Sequence, residues 1–61
     1  MPYSYPTSAQ AFKCLELCQS LSNFYQPIHM LRYDVATGEI FIIAGTREDL
    51  EITVRRDGTW N

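Results

Sequence analysis

Asp34-Val35-Ala36-Thr37-Gly38-Glu39, set between Ile28-His29-Met30-Leu31-Arg32-Tyr33 and Ile40-Phe41-Ile42-Ile43-Ala44, is the stretch that decides the fold. Two β-branched and aromatic runs joined by four residues ending in glycine read as a hairpin, with Gly38 in the left-handed conformation that glycine enters without a Cβ penalty. Closing the loop makes Asp34 face Glu39. The register then puts Tyr33 opposite Ile40 and Leu31 opposite Ile42, so one face of these strands is wholly apolar, and a one-residue slip would scatter it.

Downstream, residues 50–56 (Leu-Glu-Ile-Thr-Val-Arg-Arg) form a third run of the same kind. A five-residue loop from Gly45 to Asp49 pairs Ala44 with Leu50, Ile42 with Ile52, Ile40 with Val54, and Glu39 with Arg55, the last as a salt pair on the other face. Asp57-Gly58 reads as a two-residue turn. Folding Thr59 and Trp60 back adds a short fourth strand and places Trp60 beside Arg55, on the face away from any helix.

Upstream, residues 1–6 hold two tyrosines and two prolines, which suits an extended arm. Thr7 with Gln10 three residues on has the spacing of a capping box, so a helix is expected over 7–26, stopping before Pro27. At 100° per residue, Ala11, Cys14, Leu15, Leu17, Cys18, Leu21, Phe24 and Tyr25 share one half of it, opposite Lys13, Glu16, Gln19, Ser20 and Asn23. Phe12 points into the polar half, with Tyr3 and Tyr5 as its expected neighbours. The helix's apolar half matches a sheet layer of Leu31, Tyr33, Val35, Ile40, Ile42, Ala44, Leu50, Ile52 and Val54. This agreement between separately read segments predicts one α+β domain over 1–61: an N-terminal helix packed on a three-stranded antiparallel meander over 28–61.

At 61 residues the chain buries only about 60% of its unfolded surface, so its stability is marginal or borrowed. Hydrophobic residues make up 46%, with eight aromatics, which excludes intrinsic disorder. The start lacks the cationic and apolar regions of a secretory signal, and no apolar run reaches the roughly 20 residues of a membrane span. The expected location is cytoplasmic, with reduced thiols.

Candidate chemistry is thin. Cys14 and Cys18 stack on one helix face, too far apart for a bridge within a continuous helix, and read as small core residues. With His29 they fall short of the four ligands of structural zinc, so no metal or cofactor is expected. His29 has no Ser, Cys or Lys spaced to make a nucleophile and base pair, and Glu48-Asp49 reads as a solvated loop tip, so no enzyme is expected. Five cations against seven anions, net charge −2, make nucleic acid an unfavoured partner, although Arg32, Arg47, Arg55 and Arg56 all lie in the C-terminal half.

The second sheet face carries Met30, Phe41, Ile43 and Trp60 among Arg32, Asp34, Glu39, Glu51, Thr53 and Arg55. Four large apolar side chains together imply a cover, either the Tyr3 and Tyr5 arm or another chain. The expectation is a non-enzymatic interaction module whose partner is itself or another protein, a homo-oligomer or the small subunit of a complex. The alternative is a small regulator of the antitoxin or nucleic-acid-binding kind, acting through the four arginines.

Lys13-Cys14, Leu17-Cys18, Tyr25-Gln26-Pro27-Ile28, Arg32-Tyr33-Asp34, Thr37-Gly38-Glu39-Ile40-Phe41-Ile42, Ala44-Gly45 and Gly58-Thr59-Trp60 occur in an order that resembles a family of short uncharacterised cyanobacterial proteins. The resemblance covers nearly the whole chain. It implies a cyanobacterial cytosolic origin and carries no activity.

Overall fold

Thr7 begins the helix as its spacing predicts. In the computed structural model, which describes residues 3–61, the Gln10 amide donates to Thr7 Oγ1 at 3.1 Å and the Thr7 amide donates to Gln10 Oε1 at 2.9 Å. Each side chain satisfies a backbone donor orphaned by the helix start. Helix α1 spans Ser8–Asn23, shorter than the expected 7–26. It ends early because Tyr25 turns left-handed (φ 57°), letting the Tyr25 amide donate to Ser22 and the Gln26 amide to Leu21. That pair of bonds closes a Schellman cap before Pro27 is reached, with tyrosine where glycine is usual.

The strands are β1 (Ile28–Asp34), β2 (Glu39–Ala44) and β3 (Leu50–Val54), antiparallel in the order β1-β2-β3. The register is the expected one: Asp34 faces Glu39, Tyr33 Ile40, Leu31 Ile42, and on the other side Ile40 faces Val54, Ile42 Ile52 and Ala44 Leu50. Gly38 is left-handed at φ 75°. The ladder shifts between Ile28 and Met30, so His29 is an extra, bulged residue and Ile28 faces Ala44. β3 stops at Val54, and Glu39 and Arg55 form no ion pair: Arg55 donates instead to Thr59 Oγ1 and Asn61 Oδ1.

Ile40, Ile42, Ala44 and Val54 are buried with Leu21, and Cys14, Leu17, Cys18, Tyr33 and Ile52 pack around them. The alternate residues Phe41 and Ile43 face away. Helix coverage is narrower than the sequence implies. Ala11, Leu15, Phe24 and Tyr25 are exposed, as are Leu31 and Leu50, because α1 lies over β2 and β3 along a single seam. That seam holds a polar residue the amphipathic reading left out: Gln10 has no exposed surface, and its Nε2 donates to the carbonyls of Gly38 and Val54, the latter at 3.2 Å. Phe12 is exposed, and Tyr3 stacks on Arg56.

Candidate functional site

The face of the sheet turned from α1 is built by alternation. In one row Met30, Ile43 and Glu51 lie side by side across the three strands, and in the next Arg32, Phe41 and Thr53. Phe41 and Ile43, on the central strand, are half-buried, and Met30 is 37% exposed. These side chains line a shallow recess of about 440 Å³, apolar along its middle, with Arg32 and Glu51 at diagonal corners.

Trp60 does not belong to this face. The final loop has three residues rather than two: the Gly58 amide donates to Arg55 at 2.9 Å with Gly58 left-handed, and the Arg55 amide donates to Thr59 at 2.8 Å. Thr53 and Asn61 exchange both backbone bonds, so Trp60 stands opposite Val54 and shares its side of the sheet. One residue of loop length inverts the side chain. Trp60 therefore lines a groove between α1 and β3 with Leu17, Leu21, Leu50 and Ile52.

The described part of the arm, residues 3–6, does not cover the recess either; Met1 and Pro2 of the expected arm lie outside the described residues. Tyr33 Oη donates to the Tyr5 carbonyl at 2.9 Å, Arg56 Nη1 donates to Tyr33 Oη at 2.9 Å, and the Arg56 guanidinium sits 4.7 Å from the centre of the Tyr3 ring. Tyr33 pairs with Ile40 and so lies on the α1 side, and the arm is fastened there. Arg56, with the parity of Ile52 and Val54, is the clasp. That parity is legible in the sequence and sets Arg56 on the opposite side of the sheet from Arg55.

The four arginines do not converge. Arg55 and Arg56 are engaged within the chain, Arg32 lies on the far face, and Arg47 is exposed in the loop at the opposite end of β3 from Arg55. Across five residues of strand that separation is about 17 Å.

His29 Nε2 lies 2.7 Å from the Gly45 carbonyl and its Nδ1 lies 3.7 Å from Glu48 Oε1, which ties the bulge to the next loop. Cys14 and Cys18 are free thiols. Burial, and secondarily the neighbouring Cys18, push the Cys14 pKa up to about 11, away from the thiolate that nucleophilic chemistry needs. Among the described residues no three His, Cys, Asp or Glu side chains cluster as metal ligands. No helix among them is long and apolar enough to cross a membrane.

Fold and face together define a one-helix, three-strand α+β domain with an open, partly apolar sheet surface. The chain belongs to the DUF6888 family, a domain of unknown function whose profile matches residues 5–61. No curated protein and no solved structure matches it.

Proposed function

We propose that this chain is a non-enzymatic protein–protein interaction module, a homodimer or the small subunit of a complex. Its contact surface is the face of β1 and β2 that carries Met30, Phe41 and Ile43. The observation that supports this is the path of the arm: Tyr3 and Tyr5 are clasped by Arg56 and Tyr33 on the α1 side, leaving the far face open. The working location is taken to be a cyanobacterial cytoplasm, on the resemblance alone. The nucleic-acid reading lacks comparable support, since of its four arginines only Arg32 and Arg47 are uncommitted to hydrogen bonds within the chain.

Magnitude sharpens the reading. Three strands about 4.8 Å apart and some six residues long give a face of roughly 300 Å². A standard stable interface takes about 800 Å² from each partner, so a stably bound partner would centre on this face and extend beyond it. The experiment is light scattering on the purified protein together with a partner pull-down, repeated with Ile43→Asp. A mass above 7.1 kDa, or a captured partner whose affinity falls about tenfold or more in the variant, is expected. A stable monomer that captures nothing refutes the proposal, as does a partner that binds wild type and variant alike.

A further inference from the structure

Hydrogen-bond alternation fixes which way each strand's backbone points. In an antiparallel pair, successive residues direct their N–H and C=O groups alternately toward one neighbour and the other. Thr53 and Arg55 use theirs outward, on Asn61 and Thr59. Leu50, Ile52 and Val54 therefore bond inward to Ala44, Ile42 and Ile40, and Phe41 and Ile43 bond to Arg32 and Met30. By the same alternation Leu31 and Tyr33 present their N–H and C=O at the free edge of β1, where no backbone group among the described residues meets them.

The two edges of the sheet are thus unlike. Residues 59–61 cover the C-terminal part of the β3 edge, while at the β1 edge Leu31 and Tyr33 have no backbone partner among the described residues. β1 is also exposed on both faces: Leu31 is 55% exposed on the α1 side and Met30 is open on the other. Helix geometry adds to this. Leu17, Ser20 and Phe24 line the side of α1 toward β3, so Leu15, rotated about 140–180° from each of them, lies on the side toward β1, where it is 64% exposed. Natural sheets blunt such edges with proline, lysine or a covering segment. β1 contains neither proline nor lysine, and its bulge at His29 lies near one end only.

We propose that the β1 edge is the dimer interface, pairing antiparallel with β1 of a second copy about a two-fold axis at Leu31. The register follows from charge and overlap. Centring on Leu31 sets Leu31 against its copy, Met30 against Arg32, His29 against Tyr33 and Ile28 against Asp34, and uses all seven residues with no like charges opposed. Centring on Arg32 brings two guanidiniums together, and centring on Tyr33 leaves three strand residues in register. The result is a six-stranded sheet with both helices on one side. On the other side the two far faces join, the Met30 of each copy lying beside the aliphatic stem of the other's Arg32. The open surface doubles to roughly 600 Å², nearer the size a further partner requires. The inference rests on the interaction-module reading and names its partner as a second copy.

Amide hydrogen exchange, read with the molecular mass across a concentration series, tests the pairing on the unmodified protein. A mass near twice 7.1 kDa is expected, with the Leu31 and Tyr33 amides protected in proportion to the dimer present. Leu31→Lys, at an exposed position whose own amide is not used by β2, should keep the fold by circular dichroism and weaken the dimer about tenfold or more. Ile43→Thr should stay dimeric. A monomer at every concentration overturns the inference. So does a dimer in which the Leu31 and Tyr33 amides exchange freely, or one dissociated by Ile43→Thr and indifferent to Leu31→Lys; this last outcome leaves the far-face reading standing. A dimer broken by Leu31→Lys, with partner capture unaffected by Ile43→Asp, keeps the edge and removes the far face.

Discussion

Gln10→Leu is the substitution the structure makes most informative, because it keeps side-chain size while deleting a fully buried polar hub. Gln10 Oε1 accepts from the Thr7 amide, and its Nε2 donates to the carbonyls of Gly38 and Val54. Val54 retains its ladder bond to Ile40, so there a second bond is lost, worth about 0.5–1.5 kcal/mol. The Gly38 carbonyl, on a buried residue, is left unpartnered at about 1–3 kcal/mol. Together the variant loses roughly 1.5–4.5 kcal/mol, against about 3–9 kcal/mol of total stability for 61 residues. Urea unfolding followed by circular dichroism measures this directly, and Tm should fall by roughly 10–30 °C. Gln10→Glu should be worse near neutrality, since a buried carboxylate facing two carbonyls disfavours its charged form. That raises its folded-state pKa, so the added destabilisation fades as pH falls. If Gln10→Leu unfolds within about 0.5 kcal/mol of wild type, the hub is not holding the helix to the sheet and the reasoning fails.

Arg56→Ala should release the arm, because the guanidinium stacks on Tyr3 and donates to Tyr33 Oη. Chymotryptic cleavage after Tyr3 should quicken while far-ultraviolet circular dichroism stays native, and an unchanged cleavage rate would count against the clasp; the Tyr5–Pro6 bond resists the protease. Cys14 should titrate near pH 11 by thiolate absorbance. Its folded-state pKa is raised, so its contribution to stability is complete below its ordinary value of 9.0 and is lost as pH climbs toward 11; a midpoint near 9.0 would contradict its burial. Asp57 accepts from the Thr59 hydroxyl and amide, which hold its carboxyl below the ordinary value of 3.8. Its contribution is present above that value and lost as pH falls below it, so Asp57→Asn should flatten the acid limb of the stability curve.

The helix start, the three strands and both hairpin registers were legible in the sequence because each is fixed locally. Thr7 and Gln10 satisfy each other's amides, Gly38 permits one loop closure, and a period of two leaves a single pairing that gathers Ile40, Ile42 and Val54. What was not legible depends on a count or a contact that periodicity does not carry. Trp60 changed face because the last loop takes three residues rather than two, and Asp57-Gly58 fits either length. Gln10 was read as a cap, but its burial requires knowing that the Gly38 loop folds back over the helix start. Arg56 was grouped with Arg55 by charge although their parities put them on opposite faces. On the candidate face, Met30, Phe41 and Ile43 share a side of the sheet by strand alternation, and the path of the described arm, clasped on the other side, rests on contacts spanning some fifty residues of sequence.

The exposure of β1 follows from geometry rather than from a defect in packing. A helix with its side chains is about 10 Å across, and strands repeat at about 4.8 Å, so one helix shelters two strands and a third extends beyond it. α1 sits over β2 and β3, where burial is greatest, and the third strand is β1. This strand keeps Leu31 beneath the helix's flank, Met30 behind it and an unpaired backbone along its side. The strand pairing proposed above would satisfy that backbone and shelter Leu31, while Met30 would stay on the enlarged open face beside the stem of the second copy's Arg32.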